Sequence, residues 1–196
     1  MQEKNKDPVK KILTTRRSIR RFKQEPIPQQ TLIEMIDVAR LAPSAANLQP
    51  LEFIIIDRQD LKEKIFQTLS WAGYIKPAWT PSDNETPAAY IIILVKDKKN
   101  PWYTRDTSYA AANIVTYAES QNIGSCILCK IDKEKIREIL KIPEKILIDS
   151  VIALGYKAEQ PEIIELTDSV KYFRDESETL KVPKRRLDKI MKINKY

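Results

Sequence analysis

Residues 42–57 read APSAANLQPLEFIIID, and halfway along this stretch the composition changes from a proline-bracketed polar loop to a buried strand. LEFIIID (51–57) is almost wholly apolar and rich in β-branched residues, the composition of a strand covered on both faces. PSAANLQP (43–50) places Ser44, Asn47 and Gln49 in the loop. A side-chain amide presents a donor and an acceptor together, the complement of a heterocycle edge carrying C=O and N–H; the same residues also suit an Asx turn joining helix to strand. Upstream, Leu32, Met35, Ile36 and Ala39 share a helical face after Pro26-Ile27-Pro28, and that helix stops before Pro43.

Further out, Asp7-Pro8 reads as an N-cap and first helical residue, with Val9, Ile12, Leu13 and Arg16 following at helical spacing. Asp60 caps a helix bearing Leu61, Ile65 and Leu69, and Tyr90 to Val95 is a strand. From Asp106 to Asn122, the recurrence of Tyr109, Ala110, Asn113, Ile114, Tyr117 and Ala118 predicts a buried helix with Gly124 as its stop. Ser125–Ile131 then reads as a strand, Asp132–Leu140 as a capped helix and Ile146–Tyr156 as a strand, while Leu187, Ile190 and Met191 suggest a short helix in the tail. Strands and helices in mixed order, without a repeating βαβ unit, predict an α+β fold with helices packed on a central sheet. At 196 residues the chain suits one domain, 1–196, with a C-terminal arm over about 160–196.

Composition excludes several chemistries. A chain 42% hydrophobic and 31% charged is globular, neither disordered nor membrane-embedded, and its longest apolar runs are strand-sized. The N-terminal MQEKNKDPVKK has no apolar segment of the kind a secretory signal carries, so the cytoplasm is the expected location. With no histidine, a Ser-His-Asp triad, a Cys-His pair and an HExxH zinc site are impossible. Gly73, Gly124 and Gly155 are too far apart to form a glycine-rich phosphate cradle, so any phosphate must be held by side chains. Cys126 and Cys129 cannot complete a four-ligand zinc site, and no metal is expected. Residues i and i+3 on a strand face opposite ways, which argues against a redox dithiol.

The net charge of +7 sits at the ends: residues 1–24 carry nine Lys/Arg against two acids and residues 181–196 seven against one, leaving an acidic middle. Basic arms on an acidic body could grip nucleic acid, or both ends could converge on one phosphate. RRSIRRF (16–22) surrounds Ser18 with Arg16, Arg17, Arg20 and Arg21. Guanidinium forks and a hydroxyl make a phosphate clamp; a solvated basic helix end is the plainer alternative.

RRSIRRF, followed about two dozen residues on by APSAANLQPLEF, resembles the FMN-dependent nitroreductase family. DTSYAAAN (106–113), GSCILC (124–129), ALGYKAEQP (153–161) and the tail with YFRDE and VPKRRL extend the resemblance over most of the chain. The resemblance implies a three-layer sandwich of helices on a mostly antiparallel sheet, in an intertwined homodimer with FMN at the interface. By motif, Arg16, Arg17 and Ser18 fall on phosphate and ribityl positions, and Arg20 beside flavin N1 and O2. Pro43, Ser44, Ala45 and Asn47, with Gln49 in the same loop, would serve the flavin from the other subunit. The backbone near Leu128 would approach flavin N5, with Cys129 where the family commonly has glycine. Lys184, Arg185 or Arg186 would join at the phosphate, so that both basic ends serve one anionic cofactor.

The activity so implied is hydride transfer from NADH or NADPH through FMN to an electron-poor small molecule such as a nitroaromatic or quinone, the flavin performing the chemistry without a catalytic side chain. Reductive dehalogenation or flavin-consuming chemistry on the same scaffold is the alternative within enzymes. A non-catalytic nucleic-acid binder is the rival outside them, opposed by the acidic middle and the lack of a nucleic-acid motif; neither nucleic acid nor membrane is an expected partner. Trp71, Tyr74, Trp79, Trp102 and Tyr103 crowd the aperiodic stretch 71–103 and are expected to form a mobile cover over the acceptor, although each singly could be core packing.

Overall fold

Strand β1 (Leu51–Ile56) leaves the polar loop and pairs antiparallel along its length with β2 (Ala89–Val95), which is buried at every residue. With β3 (Ile123–Leu128) and β4 (Leu147–Tyr156) they form an antiparallel sheet of order β1-β2-β4-β3, in a computed structural model that describes residues 7–97 and 100–195. The five α-helices are α1 (Pro8–Thr15), α2 (Gln29–Arg40), α3 (Gln59–Phe66), α4 (Tyr103–Ser120) and α5 (Lys133–Leu140). Period two along the strands sends alternate residues to opposite faces. Ile91, Ile93, Ile152 and Leu154 meet Leu32 and Met35 of α2 and Ala110 and Ile114 of α4. Tyr90, Ile92, Val151 and Ala153 meet Ile65 of α3 and Ile136 of α5. The result is the expected three-layer α+β sandwich.

Several boundaries differ from the sequence reading. Helix α4 ends at Ser120, and Asn122 takes the left-handed turn at φ 60°, so Gly124 is free to lie inside β3; asparagine tolerates that conformation nearly as well as glycine. Asp60 sits in the first turn of α3 rather than at its cap and pairs with Arg58 at 2.7 Å. Leu69 lies beyond that helix, bridged to Ile131. The C-terminal arm holds a second sheet that no periodicity announced, β5 (Glu162–Glu165), β6 (Phe173–Arg174) and β7 (Leu180–Lys184) in order β5-β7-β6. Its strands are short and, Leu180 apart, at least partly exposed, so they carry little hydrophobic pattern to read. The expected tail helix is a single exposed 3-10 turn, Leu187–Lys189.

Gly124 and Gly155 are register partners on β3 and β4. A Cβ on Gly124 would stand 2.8 Å from Ile19 Cγ1, and one on Gly155 2.8 Å from Phe22 Cδ1. The two glycines therefore leave a bare floor on the sheet, and Ile19 and Phe22 fill it. Backbone pairing fixes the same segment: Ile19 N–H donates to Ser125 O at 2.9 Å, Lys23 N–H to Tyr156 O at 2.8 Å and Ala158 N–H to Arg21 O at 3.0 Å. Among the described residues no helix is long and apolar enough to cross a membrane, and no three His, Cys, Asp or Glu side chains gather as a metal site. Residues 1–6, with part of the basic N-terminus, lie outside the described residues.

Candidate functional site

The segment 16–22, laid on the glycine floor, divides its four arginines into two kinds. Arg17 donates to the backbone carbonyls of Arg16 and Thr14, and with Ile19 it faces a cavity of about 810 Å³ that neither Arg16 nor Ser18 lines. Burial, and then the charge of Arg16, hold its pKa below the ordinary guanidinium value. Arg21 pairs with Glu178 at 2.9 Å and Glu85 at 3.4 Å and lies over the Trp79 ring. Arg16 and Arg20, by contrast, enter no ion pair among the described residues. The Arg20 guanidinium lies 4.6 Å from the Tyr172 ring centroid, and its Nε is buried without a partner. The charges of Arg16 and Arg20 both act on the Cys126 thiol in β3.

Sequence reasoning missed Glu159. Its Oε1 accepts the Arg20 backbone N–H at 2.6 Å and its Oε2 the Arg174 guanidinium at 2.7 Å, with both side chains only 7% exposed. The turn after ALGY and the arm sheet thereby brace the arginine segment. Burial pushes both the Cys126 and the Cys129 thiol upward. Cys126 packs in the core and Cys129, just past β3, is exposed.

The loop 43–50 is held differently. It contains a 3-10 turn, Ala45–Asn47, and three non-glycine residues in the left-handed region, Ala46 at φ 48°, Asn47 at 55° and Gln49 at 48°. Such conformations cost energy and persist only where contacts enforce them. Ser44 Oγ accepts the Gln49 N–H at 3.1 Å. Asp106, 2% exposed at the start of α4, accepts the Ala45 N–H at 3.0 Å through Oδ1, while its Oδ2 is buried without a partner. A cavity of about 300 Å³ lies between loop and helix, lined by Pro43, Ser44, Ala45 and by Trp102, Arg105, Asp106 and Tyr109. Trp102 caps α4, and with Arg105, Asp106 and Tyr109 it recurs at i, i+3, i+4 and i+7, a stripe visible in the sequence of which only Trp102 and Tyr109 were singled out, for a cover and for the helical period. No residue of 16–22 lines this cavity or the smaller one behind the loop.

Of the basic tail, Arg186 pairs with Asp188 at 3.0 Å and Glu165 at 3.9 Å. Lys184 ends β7, Arg185 is exposed, and neither bonds to residues 16–22. The proposed aromatic cover does not act as one group. Trp71 is 7% exposed and packs against Phe66 in the core, which removes it from any mobile cover. Trp79 is held between Arg21 and Arg174, and the Tyr74 ring meets that of Tyr172 at a tilt, 5.1 Å between centroids, both near the arginine segment. Trp102 lines the loop cavity instead, and Tyr103 starts α4 partly buried.

Comparison with known proteins identifies the family. The profile described as Nitroreductase family matches residues 13–156, which takes in both the arginine segment and the loop. A relative from Archaeoglobus fulgidus named "Putative NADH dehydrogenase/NAD(P)H nitroreductase" is 32% identical over 81% of this chain and 90% of its own length. An iodotyrosine deiodinase of Thermotoga neapolitana is 27% identical over 72% of this chain and 84% of its own. An FMN-dependent nitroreductase of Clostridium difficile R20291 superposes with a TM-score of 0.69 at 25% identity, covering 94% of this chain and 98% of the other. The chain belongs to the nitroreductase family.

Proposed function

We propose that this flavin-dependent NAD(P)H oxidoreductase holds its FMN between two copies of the chain, by Arg16, Ser18 and Arg20 of one and the 43–49 loop of the other. The observation that carries the reading is the division among the arginines: Arg17 and Arg21 are spent on the protein, whereas the guanidiniums of Arg16 and Arg20, on either side of Ser18, enter no ion pair among the described residues. Two uncommitted guanidiniums and a hydroxyl fit a phosphate monoester at one end and the electron-rich pyrimidine edge of a flavin at the other. Lys184 and Arg185, without ion pairs among the described residues, are available to the phosphate; Arg186 is engaged with Glu165 and Asp188.

FMN, when bound, accepts hydride from NAD(P)H and returns two electrons to an acceptor such as a nitroaromatic or quinone. The chain's own residues bind and orient it, with backbone N–H groups around Leu128 and Cys129 at the end of β3 and the positive charge of Arg20 near its pyrimidine edge. A second copy also accounts for the apolar surface of the single chain. Helix α1 buries none of its side chains, and Leu13, Leu41 and Leu48 are each more than half exposed. The deiodinase relative supports reductive dehalogenation as the second reading. The basic arm is poorly suited to nucleic acid, since Arg174, Lys181 and Arg186 are already paired with carboxylates.

Mixing two variants tests the shared site. Arg16→Ala and the loop double variant Ser44→Ala/Asn47→Ala should each lose FMN, and refolding them together should restore one wild-type site in every mixed dimer. Flavin absorbance retained through gel filtration measures it. No recovery from two dimeric variants would place the whole site in one chain, and a wild-type protein that cannot be loaded with FMN would overturn the flavin reading itself.

A further inference from the structure

We infer that the cavity at the start of α4 selects the acceptor, taking aromatic acids whose anionic group meets Arg105. The inference rests on the shared flavin site proposed above, which sets the 43–49 loop, and with it this cavity, beside the cofactor. Trp102 and Tyr109, both about half exposed, present ring surface from the stripe on α4, and Pro43 and Ala45 close the opposite wall. At about 300 Å³ the space suits one substituted ring. The Arg105 guanidinium lies 4.6 Å from the Trp102 ring centroid and enters no ion pair among the described residues. A cation seated on an aromatic wall stays charged and keeps its edge donors free for a carboxylate.

Asp106 supplies the second, independent observation. It is 2% exposed and lines both this cavity and the smaller one behind the loop; one oxygen holds the loop, and the other lies buried without a donor. A buried acceptor left unpaired marks a place for a ligand N–H or O–H. The same oxygen repels an anion, so an acid is directed to Arg105 and a ring amino or hydroxyl group to Asp106. For a nitrobenzoate the reaction balances as one nitro group, one NAD(P)H and one proton giving a nitroso group, NAD(P)+ and water: the nitro group gains two electrons, one N–O bond breaks, and the released oxygen leaves as water.

The experiment compares 4-nitrobenzoate with its methyl ester, by KM on the FMN-loaded enzyme and by quenching of tryptophan fluorescence on the oxidised protein. The acid should show a KM and a quenching constant at least tenfold lower than the ester. Arg105→Gln should close the gap between the two, and Arg105→Lys should keep part of it. Equal values for acid and ester in the wild type, or a gap that survives Arg105→Gln, would overturn the inference. If the protein fails to take up FMN, the flavin reading falls, while quenching by the acid and the ester still decides whether this cavity prefers anions.

Discussion

The arginine segment 16–22 and the loop 43–50 are the two halves of the proposed flavin site, and different forces hold them. The first is part of the core: Ile19 and Phe22, at 2% and 0% exposure, occupy the floor left by Gly124 and Gly155. Its geometry is therefore set by the same packing that folds the sheet. The second is exposed, carries three left-handed non-glycine residues, and depends on polar contacts from Ser44 and Asp106. The backbone geometry of one half should be lost only when the protein is destabilised, and that of the other should be lost while the protein stays folded.

Adding a methyl group to the glycine floor gives the largest effect. In Gly155→Ala the new Cβ meets Phe22 Cβ at 2.9 Å, an atom close to the backbone that cannot swing aside. Overpacking of this kind costs about 1 to 3 kcal/mol, or roughly 2 to 12 °C in Tm for a chain of this size. Flavin retention should fall with it, because Phe22 carries the arginines. Thermal melting with and without FMN checks both, and a wild-type Tm would show that the floor is not tight.

Within the same half, Arg16→Ala should weaken FMN binding by about 1 to 3 kcal/mol through loss of a charge-assisted contact to phosphate, leaving riboflavin affinity near wild type. Arg21→Ala should do the reverse, lowering Tm by releasing Glu85 and Glu178 while preserving the preference for FMN over riboflavin. Titrating both flavins into both variants separates the roles. Equal losses for FMN and riboflavin in Arg16→Ala would remove that residue from the phosphate.

The contrast also explains what the sequence could reveal. The four core strands and the helices covering them were legible because burial on both faces writes long apolar runs and helical periods. RRSIRRF and PSAANLQP were legible as motifs, but which arginines are free was not, since Glu85, Glu159 and Glu178 approach from distant parts of the chain. The arm sheet was illegible because β5 and β6 are too short and exposed to carry a pattern. Asp106 read as an ordinary residue of a helix start, and only the loop lying over it reveals the contact to Ala45.

The loop half is tested by Asp106→Ala. It leaves the Ala45 N–H without its acceptor, a loss of about 1 kcal/mol, and frees a strained turn to relax. FMN affinity should fall about five- to tenfold, with a Tm change smaller than that of Gly155→Ala. Isothermal titration and melting of the two variants side by side give the comparison directly. If Asp106→Ala lowers Tm as far as Gly155→Ala does, the loop is as much a part of the core as the arginine segment, and the distinction between the halves disappears.

The smallest effect lies in the arm that braces the arginine segment through Arg174. Next to that residue, Asp175 Oδ1 accepts from the Ser177 N–H and Oγ and from the Thr179 N–H, while Oδ2 pairs with Lys181 at 3.1 Å. Led by the hydrogen bond from Ser177 and then by Lys181, these contacts pull the Asp175 pKa down to about 2. A depressed folded pKa means the carboxylate's stabilising contribution is fully present above the unfolded value, about 3.9 for aspartate, and is lost as the pH falls through about 2. The turn between β6 and β7 should therefore loosen on acidification across that window. The amide resonances of Ser177 and Thr179 should shift with a midpoint near 2 in the wild type, and Asp175→Asn should abolish the step. Because Arg174 and Glu159 lie between this turn and Arg20, the Arg20 amide should follow the same titration weakly and the Ala45 amide in the loop not at all. A midpoint near 3.9 at Ser177 and Thr179 would mean that the turn does not hold the carboxylate.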